Sequence, residues 1–331
     1  MPELKVRFHK AGSRKMTQTI TQVAGIDTAK HKLDIALHGQ SKRWQIENCV
    51  SGWRDLASRL AGAGVNKVGI EATGGYESGV VAYLRGAGFV VLLLQPLQVK
   101  NFAKSRLRRA KNDALDAELI AAYTAQAEPR DIAPDARLTG LAGQLTFVEQ
   151  TEEDIARLKI RLEHIGEPQQ RRLYLRDIAR LQARRRAELK RIAALLRQHD
   201  DLARRLALVL SIPGIGERTA LAIVIRMPEL GQISREEAAA LAGLAPFDND
   251  SGKHRGQRHI AGGRDRLRRS LYAAALPASF RWNAALIDLY RRLMARGKAH
   301  QAALIACARK LIVYANTVVQ RGTPWIKSPA L

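Results

Sequence analysis

Four carboxylates occupy positions from which acids can converge. Asp27 ends the apolar run "VAGID", and Glu71 ends "KVGIE". If those two runs are neighbouring strands, both carboxylates leave the sheet at one edge. Asp113 and Asp116, in "KNDALDAEL", are three apart in a helical stretch and share one helix face. Like charges brought together repel unless a cation neutralises them. Oxygen donors of this kind select Mg²⁺ or Mn²⁺. Two such ions can activate a nucleophile and steady a leaving oxygen in phosphodiester transfer. Any one of these acids could instead cap a turn or solvate a helix. The set of four favours a metal site. Gly74 and Gly75, just beyond Glu71, would let a backbone or a phosphate approach closely.

A second candidate is the stretch "DNDSGKHRGQRH", Asp248 to His259. A serine hydroxyl needs a base, a metal or neighbouring cations to act as a nucleophile. Lys253, Arg255 and Arg258 follow Ser251 and could hold a phosphate and its transition-state charge. On chemistry alone, Asp, Asn, Ser and Gly in a row read as a turn. A third candidate is "SIPGIGERTALAIV". Its Gly214 and Gly216 would expose backbone N–H groups at a helix N-terminus, as in a helix-hairpin-helix phosphate contact. A plain helix-helix turn is the other reading.

The elements that must position these groups fall into three regions. Residues 23–129 alternate between strand-like and helix-like segments. Three hairpin-linked strands followed by αβαβα predict a mixed α/β sheet with helices packed on it. Its last stretch is basic, with Lys104, Arg106, Arg108 and Arg109 as candidate nucleic-acid contacts. Residues 137–206 have leucines and isoleucines at three and four, interrupted by "GEP" at Gly166–Pro168. That pattern predicts a helical hairpin or coiled-coil arm. Residues 171–205 carry twelve Arg and Lys against four acids. The sign bias favours an arm that faces nucleic acid or forms a dimer, with Arg184, Arg185 and Arg186 as contacts, over a merely solvated face. Residues 207–331 are helical in pattern, with a capping box at Ser234 and Glu237 and helices expected over 264–279, 284–296 and 300–320.

Bulk properties bound the function. A formal charge of +24 over 331 residues points to a polyanionic partner. The longest pure apolar run, "FVVLLL", is too short to span a bilayer, so no membrane partner is expected. The basic start of the chain has no apolar core of a secretory signal and reads as a flexible arm over 1–21. Two distant cysteines, Cys49 and Cys307, fit a reducing cytoplasm and no thiolate zinc site.

Five segments occur in a set order: "GIDTAKHKLDIAL", "IEATGGYE", "RRAKNDALDAELIA", "IPGIGERTA" and "LAGLAPFDNDSGKHRGQRHI". Together they resemble the DEDD-type insertion-sequence transposases, the bridge-RNA-guided DNA recombinases related to pilin-gene invertases. The resemblance covers about residues 22–320. It implies a RuvC-like (RNase H fold) domain over 22–130, a coiled-coil arm over 137–206, and a transposase domain over 207–331. The family's acids fall on Asp27, Glu71, Asp113 and Asp116, and its catalytic serine falls on Ser251. That assignment overrides the turn reading. It implies Mg²⁺ on the carboxylates and attack by Ser251 on a phosphodiester to give a covalent DNA–protein intermediate. It further implies a structured guide (bridge) RNA pairing with target and donor double-stranded DNA, and dimers joining into a tetramer. Guided systems divide labour this way: protein reads backbone and shape, while base pairing reads sequence. Two other readings stay open. One is a RuvC-like nuclease that uses metal-activated water and needs no serine. The other is a non-catalytic nucleic-acid scaffold indifferent to loss of Glu71.

Overall fold

The computed structural model describes residues 22–41, 43–106, 113–127, 135–247 and 259–326. The expected arm over 1–21 lies outside them. The chain divides into two compact units, Met1–Asp131 and Ile132–Leu331.

The first unit opens with three strands, β1 (Gln22–Thr28), β2 (Lys32–Leu37) and β3 (Arg43–Glu47). Helix α1 (Val50–Gly62), β4 (Val65–Glu71), α2 (Ser78–Gly86), β5 (Val90–Leu94), α3 (Pro96–Ser105) and α4 (Asp113–Gln126) follow. The sheet order is β3-β2-β1-β4-β5. The β1–β2 and β2–β3 pairs are antiparallel, and β1–β4 and β4–β5 are parallel. This is the mixed sheet that the alternation of segments predicts.

Period-two alternation assigns the two faces. Ala24, Ile26, Leu33, Ile35, Val68 and Ile70 point to one side, where they bury with Leu56 and Leu60 of α1 and Val80, Val81 and Leu84 of α2. The opposite face receives α4, and where it crosses β1 and β4 the strands present glycine. Gly25 and Gly69 are register partners on β1 and β4. A Cβ on Gly25 would overlap the Ala117 carbonyl oxygen and the Ala121 nitrogen of α4, and one on Gly69 would overlap the Thr124 hydroxyl. The paired glycines form a seat that lets α4 lie backbone-close on the sheet. Two polar ties hold its flanks. Arg43 Nε donates to Glu118 Oε1 at 2.7 Å, and Lys67 donates to the Ala127 carbonyl.

We expect Gly25→Ala to destabilise this unit by about 3 kcal/mol, the upper part of the overpacking range, because the neighbour that must move is backbone rather than a flexible side chain. Urea unfolding measures the loss. A change below about 1 kcal/mol would show that α4 has slack over the sheet.

The second unit is helical. Helix α5 (Ala136–Leu162) and α6 (Pro168–Arg197) form an antiparallel hairpin. Glu167 caps α6, accepting from the Gln169 and Gln170 backbone N–H groups, and Pro168 takes the first helical position, where its missing N–H costs nothing. After them come α7 (Asp200–Leu210), α8 (Glu217–Arg226) and α9 (Arg235–Leu241). A short antiparallel pair follows, β6 (Pro246–Phe247) with β7 (His259–Ile260). The chain ends in α10 (Asp265–Pro277), a π-helical turn (Ala278–Trp282), α11 (Ala284–Ala295) and α12 (His300–Arg321). The expected capping box is present: the Glu237 N–H donates to Ser234 Oγ at 3.1 Å, and the Ser234 N–H donates to Glu237 Oε2 at 2.9 Å.

The hairpin's apolar spacing is used unevenly. Near its base, Leu138, Leu141, Leu145, Val148, Leu189, Ile192 and Leu196 share one core with α7 to α12. Toward the tip, Ile160, Leu173 and Leu175 are exposed. The shared core therefore stops short of the tip, where the repeat positions Leu158, Leu162 and Ile165 are half-buried. At the base α8 also packs against α5 and α6, whereas two helices alone leave half of each surface in water. Helix α12 is long and apolar enough to cross a membrane, but half of its apolar stretch is buried in the protein, with Cys307, Leu311 and Ile312 in the shared core.

Candidate active site

The parallel register sets Gly25 beside Gly69 and Ile26 beside Ile70. One step further on are Asp27 and Glu71, on the same face as the glycines and therefore on the α4 face. Asp113 opens α4 and Asp116 lies in its first turn. The glycine seat thus brings the acid-bearing end of α4 to the acid-bearing ends of β1 and β4. The electrostatics agree. Burial raises the Glu71 carboxyl above its ordinary pKa, and the charges of Asp27 and Asp116 raise it further. The Asp113 side chain lies outside the described residues. A fifth acid, Asp34, is the cross-strand partner of Asp27 on β2. Gln45 donates to Asp34 at 2.8 Å, and Lys32 pairs with it at 3.2 Å.

These residues fit a divalent cation by the chemistry of their donors: hard carboxylate oxygens, drawn together at a sheet end, each raising the cost of the others' charge. Among the described residues, no three His, Cys, Asp or Glu side chains close fully around one point. The described part of the set is a cluster of donors rather than a finished cage.

The loop after Glu71 is ordered by a residue that spacing did not reveal. The buried Glu77 carboxylate accepts from the Thr73 N–H at 3.1 Å, the Thr73 hydroxyl at 3.0 Å and the Gly75 N–H at 2.9 Å. Burial works to raise its pKa, but these hydrogen bonds prevail and hold it below the ordinary value. Gly74 and Gly75 take φ of +81° and +123°, which only glycine adopts at low cost. Asn48 ties three segments together. Its amide donates to the Ala29 carbonyl at 2.9 Å and the Tyr76 carbonyl at 3.0 Å, and its oxygen accepts from Trp53 Nε1 at 2.8 Å. Glu77 and Asn48 together fix the loops that border Asp27 and Glu71. A single acid before a helix and a single Asn after a strand carry no periodic signal, so sequence reasoning passed over both.

Of the basic candidates near this site, Lys104 and Arg106 are exposed at the end of α3, with the Arg106 guanidinium 4.8 Å from the Phe102 ring centroid. Arg108 and Arg109 lie outside the described residues.

In the second unit, Arg184 and Arg186 are exposed on α6, while Arg185 turns toward α5 and pairs with Glu152 at 3.4 Å. Gly214, with φ of +93°, and Gly216 shape the turn before α8. That turn is braced from behind: the Asn283 amide donates to the Pro213 carbonyl at 3.1 Å, and Arg197 pairs with Glu217 at 2.9 Å. Helix α8 is buried from Thr219 to Ile225, so it is a core helix as well as the second half of the turn.

Ser251, Lys253, Arg255 and Arg258 lie outside the described residues. The segments on either side of them do not: Pro246 pairs with Ile260 and Phe247 with His259. Two arginines hold the returning strand end. Arg268 donates to the Gly262 carbonyl at 2.7 Å. Arg264 grips Glu229 through both terminal nitrogens, at 2.9 and 2.6 Å, and its N–H donates to the Leu241 carbonyl at 2.8 Å.

The sequence is similar to known proteins. Residues 24–165 match a transposase family model of the DEDD type, DEDD_Tnp_IS110. Residues 206–291 match the model described as transposase IS116/IS110/IS902 family. The pilin gene-inverting protein of Moraxella bovis is 27% identical over 321 residues, covering 92% of this chain and 97% of that protein. The insertion element IS110 uncharacterized 43.6 kDa protein of Streptomyces coelicolor is 34% identical over 142 residues, or 42% of this chain and 34% of that one. Among solved structures, T. thermophilus RuvC in complex with a Holliday junction substrate is similar over 30% of this chain and 90% of that one, at 16% identity and a TM-score of 0.26.

Proposed function

The chain belongs to the IS116/IS110/IS902 transposase family and is a DNA recombinase, and from that premise we propose that it cuts and rejoins strands through a carboxylate-held metal site and a serine nucleophile. The observation that supports this reading is the strand register, which sets Asp27 and Glu71 one step past the partners Ile26 and Ile70 at one sheet end, with Asp116 in the first turn of the helix laid on that face. The mixed sheet, with three antiparallel strands followed by two parallel ones, suits a RuvC-like catalytic domain.

Asp27, Glu71, Asp113 and Asp116 would hold Mg²⁺, with Mn²⁺ as a substitute. The ion would supply charge neutralisation at the reacting phosphate. Ser251 gives up its hydroxyl proton and its Oγ bonds to phosphorus, while the bond from phosphorus to one sugar oxygen breaks. The freed sugar hydroxyl leaves, and DNA stays on the serine. A strand hydroxyl from the second duplex then attacks that phosphorus and releases Ser251. Lys253, Arg255 and Arg258 neutralise the phosphate during both steps. Gly214 and Gly216 contact backbone phosphate, as do Lys104, Arg106, Arg108, Arg109, Arg184 and Arg186, whereas Arg185 is taken up by Glu152. Sequence choice comes from a structured guide RNA that pairs with target and donor DNA, and dimers assemble into a tetramer for strand exchange. The high positive charge supports a partner with so much phosphate. A DNA recombinase with these partners acts in the cytoplasm.

The test is Ser251→Ala. It should fold and bind nucleic acid as the wild type does, since alanine removes one hydroxyl and leaves the surrounding bases. It should form no covalent DNA adduct on a denaturing gel and complete no strand exchange, because no oxygen remains to attack phosphorus. Recombination at wild-type levels by Ser251→Ala would hand the reaction to metal-activated water. Recombination without added RNA would remove the guide from the scheme while leaving the serine in place.

A further inference from the structure

We propose that the exposed aromatic segment Leu276–Trp282, together with the basic half of α11, is a stacking platform for unpaired DNA bases. Leu276, Phe280 and Trp282 are 45%, 51% and 64% exposed. A single exposed ring is ordinary, but three large apolar side chains within seven residues form a patch that calls for a partner.

The segment is built to hold those rings outward. Residues 278–282 form a π-helical turn, a geometry that inserts an extra residue and re-aims side chains. Ala278 and Ser279 are buried, anchoring one side of the turn in the core and leaving Phe280 and Trp282 in solvent. Asn283 is buried too. Its N–H donates to the Ala278 carbonyl at 3.0 Å, and its side chain caps α11 and reaches the Pro213 carbonyl. The Phe280 ring packs against Tyr290 with centroids 5.0 Å apart, and the Tyr290 hydroxyl is 2.7 Å from His300 Nδ1. The Phe280 ring, held in this way, loses little freedom on binding a ligand.

Charge selects the partner. Residues 276–300 contain five Lys and Arg, at 281, 291, 292, 296 and 298, against one acid, Asp288. All six are exposed. A protein covering this patch would have to match five cations, whereas a nucleic-acid strand brings the opposite charge with its backbone. Rings flanked by cations are how proteins hold single strands: the π-face of any base stacks, and the backbone follows the positive groove. Duplex bases have their faces covered, so the ligand is unpaired. The choice of DNA over RNA rests on the recombinase assignment, because cutting and exchanging strands exposes unpaired DNA.

The test measures binding in chelator, where no strand is cut, so its failure is separate from any failure of the catalytic scheme. A fluorescent 15-nucleotide single strand is titrated with the full chain at fixed ionic strength. A duplex and an RNA of the same sequence serve as parallel ligands. Trp282→Ala should weaken single-strand binding about tenfold, the loss expected for one stacked base, while duplex binding changes less than about twofold. Trp282→Phe should retain most of the affinity. Its salt dependence should match the wild type, because no cation is lost. Equal losses on duplex, a loss confined to RNA, or unchanged single-strand affinity would each overturn the proposal. So would a smaller sedimenting species for Trp282→Ala with single-strand affinity intact, since the patch would then cover a second copy of the chain.

Discussion

Glu71→Gln is expected to lose DNA cleavage and yet to melt at a higher temperature than the wild type in chelator. Both effects have one origin. Folding places the Glu71 carboxyl in a half-buried position close to the charges of Asp27 and Asp116, and its pKa rises. A carboxyl whose folded pKa exceeds its unfolded value is favourable to the fold below the unfolded value of 4.5, and that benefit is lost as pH rises through the folded value. At neutral pH the ionised group therefore works against the fold, and an amide of the same shape relieves it. The Tm difference between variant and wild type should shrink toward zero as pH falls below about 4.5. Mg²⁺ should raise the wild-type Tm at neutral pH by binding the folded state alone, and raise that of Glu71→Gln much less. Cleavage should fall by at least about a thousandfold, as expected when a metal-holding acid is lost from a phosphoryl-transfer site. A Glu71→Gln protein that melts lower than the wild type in chelator would place Glu71 in a supporting hydrogen-bond network instead. Full cleavage by it would remove Glu71 from the metal site.

The second large effect belongs to Glu149→Ala. Glu149 is 5% exposed on α5, and guanidinium groups converge on it. Arg226 lies 2.7 Å and Arg266 3.1 Å from its Oε2, and Arg218 lies 4.0 Å from its Oε1. Arg218 also holds Glu152 at 2.7 Å and reaches Ser270. Burial pulls the Arg226 pKa down, and the Glu149 charge opposes that pull. Removing the carboxylate takes from the largely buried Arg226 the acid it pairs with, while Arg218 keeps Glu152 and Arg266 keeps Glu153. A broken buried ion pair costs about 3–5 kcal/mol, a fall in Tm of roughly 10 °C for a unit of this size. The exposed pair of Arg269 and Glu153 is the control: Arg269→Ala should cost no more than about 1 kcal/mol. Thermal melts of the two variants decide the matter, and a Glu149→Ala melt within 2 °C of wild type would mean that water takes over from the carboxylate. Replacing Arg226 by Met in the Glu149→Ala background should recover part of the loss, because it removes the worst-placed orphan cation.

Local periodicity made much of this legible. Strands β1, β2, β4 and β5 were evident as short apolar runs closed by turn residues, and α10 to α12 from their spacing. Ser234 and Glu237 announced α9 through a contact three residues long. Asp27 and Glu71 stood out because each ends an apolar run, and Asp116 because a helix repeats every three to four residues. What stayed hidden depends on residues far apart in the chain. Gly25 and Gly69 read as weak points in two strands until α4 is laid upon them. Glu77 and Asn48 act through backbone atoms that no residue type reveals. Glu149 belongs to a run of acids that looks like a solvated face, and only the return of α8 and α10 turns it into a buried hub. Along the hairpin, the leucine spacing continues past Ile155 although the shared core does not, because sequence records an apolar stripe without recording what covers it.

Helix α4 is placed by what it rests on. Its height over the sheet is set by two absent side chains, at Gly25 and Gly69, and its flanks by Arg43 and Lys67. A side chain at either glycine would lift the helix, and with it Asp116, whose charge bears on Glu71. The spacing of the acids is thus tuned from beneath α4, by strand residues that carry no functional group of their own.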